Sequence, residues 1–146
     1  MSENRAEARI SLANIEHNYR LLCRKAGEKR IVMAVVKADA YGHGAVEVCR
    51  RLSDAGATHF AVACMEEAAL LRRSGIRGEL LVLGITSQEL YPSIAEYDVV
   101  QTVSSLAYAS QLADCGPVRV HIKIDTGMSR LGVLCAGRHF ETGVSG

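Results

Sequence analysis

Short apolar runs alternate with amphipathic stretches along almost the whole chain, at a spacing of roughly twenty residues. The apolar runs are RIVMAVVK (30–37), THFAVAC (58–64), ELLVLG (79–84), DVVQTV (98–103) and VRVHIKID (118–125). Each is short and rich in aliphatic residues, which predicts five strands. The stretches around them read as helices. SLANIEHNYRLLCRKAG (11–27) places Leu12, Ile15, Tyr19 and Leu22 on one stripe, with Ser11 as N-cap and Gly27 as the stop. A second helix is expected over Ala45–Asp54, with Gly56 just beyond it. MEEAALLRRSG (65–75) has acids in its first turn and arginines in its last, as a helix dipole favours. SQELYPSIAEY (87–97) is expected to be weaker, because Pro92 interrupts it. SSLAYASQLADCG (104–116) again opens on a serine cap. Strands alternating with helices imply βα units and a parallel sheet. A doubly wound sheet and a (β/α)8 barrel both satisfy the pattern. The final stretch, VLCAGRHFETGVSG (133–146), shows no helical stripe where the next helix is due.

The chain has 146 residues, room for one modest core. Its net charge of +1 and the absence of Trp point away from nucleic acid and anionic membranes. The five cysteines are odd in number and none lies in C-x-x-C spacing, so neither a disulfide framework nor a zinc site is expected. Reduced cysteines fit a cytoplasmic protein. The opening MSENRAEAR is charged and leads into no long apolar run, so neither a signal peptide nor a membrane span is expected.

Two places carry candidate chemistry. In VVKADAYGHG (35–44), Lys37 ends an apolar strand face shared with Ile31, Met33 and Val35. Parallel α/β sheets and barrels place their sites at this end of the strands. Partial desolvation there disfavours the charged form and makes a neutral, nucleophilic amine accessible. The competing reading is a strand-end lysine in solvent. In the fifth strand, Arg119, His121, Lys123 and Asp125 alternate with Val118, Val120, Ile122 and Ile124. Strands of a parallel sheet are usually apolar on both faces. A fully polar face therefore marks either an edge strand or the lining of a polar site. TGMSRLG (126–132) follows and sets Arg130 at the same end. GHG matches neither phosphate-loop pattern, and His17, His43 and His59 read as turn, packing or surface residues. No spacing suggests a metal site, and there is no G-x-S-x-G.

AVVKADAYGHGA (34–45) resembles the pyridoxal-phosphate (PLP) attachment motif of the alanine racemase family, and HIKIDTGMSRLGV (121–133) resembles its second signature. ISLANIEHNYRLL (10–22) is similar to the family's N-terminal helix. The resemblance implies a fold-type-III, PLP-dependent racemase whose N-terminal domain is a (β/α)8 barrel and whose C-terminal domain is mostly β. Lys37 would attach PLP and act as one catalytic base. Tyr41 would hydrogen-bond the cofactor phosphate. Arg130 would contact the cofactor and the substrate carboxylate, and Lys123 would match a lysine that relatives often carry as a carbamate. The implied substrate is a small amino acid, L-alanine converted to D-alanine for peptidoglycan, in a homodimer or other oligomer. Related racemases acting on serine share both motifs, and a non-catalytic PLP-binding barrel is the alternative from another class. Five strands fall short of a barrel's eight, and the implied C-terminal β domain has no counterpart in residues 1–146. A partial, truncated barrel, inactive or nearly so alone, is therefore the expectation.

Overall fold

The computed structural model describes residues 7–134. Helix α1 (Leu12–Ala26) starts where the sequence indicates, with the Ser11 hydroxyl accepting from the Asn14 N–H and Gly27 closing the last turn. Strand β1 (Ala34–Val35) leads into a tight turn, α2 (Lys37–Gly42), and then helix α3 (Ala45–Asp54). The succession continues with β2 (His59–Val62), α4 (Met65–Arg73), β3 (Glu79–Val82), a 3-10 turn (Gln88–Leu90), α5 (Tyr91–Glu96), β4 (Val100–Val103), α6 (Leu106–Ala113) and β5 (Val120–Ile122). Two further short strands, β6 (Ile124–Asp125) and β7 (Val133–Leu134), form a separate parallel pair.

Four expectations are corrected. Pro92 does not interrupt a helix; it sits in the first turn of α5, where no N–H is needed. The first strand shrinks from eight residues to Ala34–Val35, because among the described residues it is a sheet edge paired with β2 alone. The fifth strand breaks at Lys123, whose N–H bonds Val103 O in the main sheet while its own carbonyl accepts from Val133 N–H. Leu22, placed on the buried stripe of α1, is 56% exposed. Residues 135–146, most of the stretch expected to lack a helix, lie outside the described residues.

The topology settles what periodicity left open. All five main strands are parallel and run in the order β1-β2-β3-β4-β5. A doubly wound sheet reverses its strand order and carries helices on both faces. Here the order never reverses and the helices share one face. Phe60, Val62, Leu80, Val82 and Val103 point into a single core with Val48, Leu52, Leu71, Ile94 and Leu112. The opposite face carries a smaller apolar cluster of Ala61, Leu81 and Val100, with Met33 and Leu83 packed against it. This is singly wound barrel architecture, an open five-stranded arc of a (β/α)8 fold.

Both edges of the arc are open among the described residues. At the β5 edge an apolar groove of about 640 Å³ runs between α6 and the strand, past Leu106, Leu112, Val118 and Ile122. At the β1 edge a second groove of about 350 Å³ is lined by Ile15, Tyr19, Leu22 and Val32. Arg72, in the last turn of α4, ties the base of the arc together. Its guanidinium donates to the carbonyls of Tyr97, Ile76, Gly78 and Asp98 at 2.8–3.1 Å.

Candidate active site

The chain from Val36 onward does something that L-residues rarely do. Ala38, Asp39, Ala40 and Tyr41 all have φ between 51° and 56°, a full turn of left-handed helix without a glycine. Each such residue costs roughly 1–2 kcal/mol, so the turn persists only where its surroundings over-determine it. Ala40 N–H bonds back to Val36 O at 2.9 Å, and Gly44 N–H bonds Asp39 O at 3.0 Å. The Asp39 carboxylate accepts from Ala45 N–H at 2.7 Å, docking the turn onto the start of α3. His43 adds a ring contact to Ala40 O at 2.7 Å. The histidine is thus a turn residue, as its position suggests.

Lys37 stands at the entrance of this turn, half-buried, at the C-terminal end of the sheet. It lines a cavity of about 410 Å³ together with Ala63, Leu83, Gly84, Lys123 and Arg130. The floor comes from strand ends. A Cβ on Gly84 would come within 2.6 Å of Ala63 O, so only glycine allows β3 to lie this close to β2 here. Gln101 is fully buried and supports the same floor, donating from Nε2 to Gly84 O at 2.7 Å.

The opposite wall is the loop after β6. Asp125 is buried, and its carboxylate accepts from Gly127 N–H at 2.9 Å and Ser129 N–H at 3.0 Å. Gly132 pins the loop's far end, since a Cβ there would sit 2.9 Å from Asp125 N. Arg130 rides on this loop, its Nη2 in contact with Met128 Sδ at 3.4 Å. The backbone N–H groups of Ser129 and Gly127 hold the Asp125 carboxyl below its ordinary value of 3.8. A depressed folded value contributes stability at higher pH that is lost as pH falls through it. Asp125→Asn is therefore expected to flatten the loss of stability on acidification, read from urea midpoints between about pH 6 and about pH 2.5. An unchanged acid limb would contradict this anchoring role.

The structure brings Lys37, Lys123 and Arg130 onto one cavity and leaves Tyr41 apart. Tyr41 is 62% exposed and lines the groove beside α1. The polar face of the fifth strand divides its work. Only Lys123 reaches the cavity. Arg119 pairs with Asp98 at 2.7 Å and Glu79 at 3.3 Å, and His59 and His121 approach the same Glu79 carboxylate at 3.8 and 4.0 Å. Both readings of that face therefore hold in part: β5 is a sheet edge among the described residues, and Lys123, just past its end, lines the cavity.

The cavity lining has three cationic side chains and no carboxylate. Among the described residues no cluster of His, Cys, Asp and Glu is placed to hold a metal ion, and no helix is long and apolar enough to cross a membrane. A primary amine sharing a cavity with two further cations suits an anionic ligand with a carbonyl.

A family model described as alanine racemase, N-terminal domain, matches residues 10–139. Alanine racemase 1 of Clostridium acetobutylicum is 44% identical over 134 residues, covering 87% of this chain and 34% of the relative. Alanine racemase 1 of Bacillus subtilis is 43% identical over 129 residues, covering 86% of this chain and 33% of the relative. The crystal structure of alanine racemase from E. faecalis superposes with a TM-score of 0.79 at 36% identity, covering 84% of this chain and 35% of that one. The chain spans about a third of the length of these relatives. With its singly wound arc and its lysine-bearing strand end, the chain belongs to the alanine racemase N-terminal domain family.

Proposed function

We propose that this chain forms the cofactor-bearing part of a PLP-dependent alanine racemase, interconverting L- and D-alanine in the cytoplasm to supply peptidoglycan synthesis. The observation that carries the reading is the convergence of Lys37, Lys123 and Arg130 on one cavity at the C-terminal end of the sheet. PLP, when bound, supplies the electron sink that stabilises negative charge at the substrate Cα. The chain's own residues do the rest. The Lys37 amine would hold the cofactor, and the same amine would take a proton from one face of the substrate Cα. The Arg130 guanidinium would bind the substrate carboxylate and the cofactor's phenolic oxygen. A carbamate on Lys123 would turn a cation into an anion and hold Arg130 in place through a charge-assisted hydrogen bond. Tyr41, exposed beside the α1 groove, would hydrogen-bond the cofactor phosphate.

Racemisation needs a base on each face of Cα, and this chain supplies one. The isolated chain is therefore expected to show very weak racemisation or none. Mixed with the rest of the Bacillus subtilis relative's chain and PLP, it is expected to interconvert L- and D-alanine. A stable complex that holds PLP and leaves alanine untouched would overturn the reading. A preference for serine over alanine would redirect it within the family. Among the described residues the edges at β1 and β5 also leave backbone unpaired and apolar grooves exposed. The isolated chain is accordingly expected to self-associate, as a homodimer or larger, in sedimentation velocity. A monodisperse monomer would contradict that.

A further inference from the structure

Glu67 lies in the first turn of α4, where an acid is favoured by the helix dipole. Its carboxylate does more than complement that dipole. Oε1 accepts from Ala38 N–H at 2.8 Å, across 29 residues of sequence. Oε2 accepts from Ala63 N–H at 2.7 Å. Ala38 follows Lys37 and is the first left-handed residue of the turn. Ala63 is a wall of the cavity that Lys37 lines. One side chain therefore fixes the backbone on both sides of the reactive amine, and Asp39 clamps the other end of the same turn to α3.

We infer that Glu67 is a positioning residue for Lys37: its two carboxylate oxygens hold the left-handed turn against the end of β2 and so aim the lysine amine into the cavity. This rests on the reading of Lys37 as the cofactor-attaching amine. A carboxylate is needed, because only it offers an acceptor to both N–H groups; an amide presents a donor to one of them. The bonds are also charge-assisted, which suits a turn whose backbone would otherwise relax.

The test uses the full chain, its Glu67→Gln variant and a mildly destabilising core change elsewhere, Ile94→Val in α5. Each is treated with PLP and borohydride, and the adducts are mapped by mass spectrometry as the ratio of Lys37 to the surface residue Lys25. Amide hydrogen exchange at Ala38 and Ala63 supplies a readout without cofactor. Glu67→Gln is expected to lower the ratio by about tenfold or more, since small misplacements of a reacting group are costly, and to speed exchange at both amides. Ile94→Val is expected to keep the wild-type ratio. A ratio that survives Glu67→Gln overturns the inference alone, and so does a ratio that falls as far in Ile94→Val. A wild-type chain with no preference for Lys37 overturns the proposed function and the inference with it.

Discussion

In an enzyme completed with the rest of a relative's chain, Lys37→Ala is expected to lower alanine racemisation by about 10⁴-fold or more while leaving the fold intact. On the proposed reading the change removes both the covalent anchor for PLP and the base on one face of Cα. Lys37→Arg is expected to lose as much. It keeps a cation in the cavity but cannot form the covalent link, so the pair separates covalent attachment from simple charge. Neither change disturbs the buried core, because Lys37 is half-buried at the start of α2, just beyond the two-residue edge strand. Unfolding midpoints are therefore expected to stay within about 0.5 kcal/mol of the parent. Racemisation retained by Lys37→Arg would remove the amine from its proposed role.

The largest effect on stability is expected far from the cavity, at Arg72. Its guanidinium serves four backbone carbonyls from the loops before β3 and β4. Arg72→Met keeps much of the side-chain volume and leaves those carbonyls without their charged donor. Hydrogen bonds to charged groups contribute about 1.5–3 kcal/mol each, and they share one side chain here, so the sum is well below additive. A loss of about 3 kcal/mol is expected, or roughly 10 °C in the unfolding midpoint. The adjacent Arg73 provides the contrast. It is exposed, with its guanidinium 5.9 Å from the Tyr97 ring centroid. Arg73→Met is expected to cost less than about 1 kcal/mol. Equal losses for the two arginines would refute the carbonyl-clamp account of Arg72.

Local signals in the sequence carried a good part of this fold. Ser11 does cap α1, the helix expected over Ala45–Asp54 forms over those residues, and five strands form from the five apolar runs. Each of these rests on residues close together in sequence, where periodicity and capping act. Barrel against doubly wound sheet depends on strand order, which periodicity does not encode; it came from the motif resemblance and from the topology. The site was legible to a similar depth. Alternation along the strands put Lys37 and Lys123 at the right end, and the glycine-rich loop put Arg130 beside them. The same alternation left Arg119 and His121 open between an edge strand's wet face and a site lining. They answer instead to Glu79, forty residues from Arg119 in sequence.

Other features left fainter traces. The left-handed turn at Ala38–Tyr41 has no glycine to announce it, because its conformation is imposed by Asp39 and Glu67 through distant backbone N–H groups. Glu67 and Arg72 look like ordinary helix-dipole charges until their partners are in view. Asp125 is different. An aspartate two residues before a glycine is a recognisable Asx-turn signal, and DTG carries it.

The central claim is that Lys37 is the amine that takes up PLP in a preformed cavity. The most direct measurement is to add PLP to the wild-type chain, reduce with borohydride and locate the adduct by peptide mapping. The account predicts that the adduct lies chiefly on Lys37. An adduct spread over the exposed Lys25 and Lys29, or no adduct at all, would contradict it.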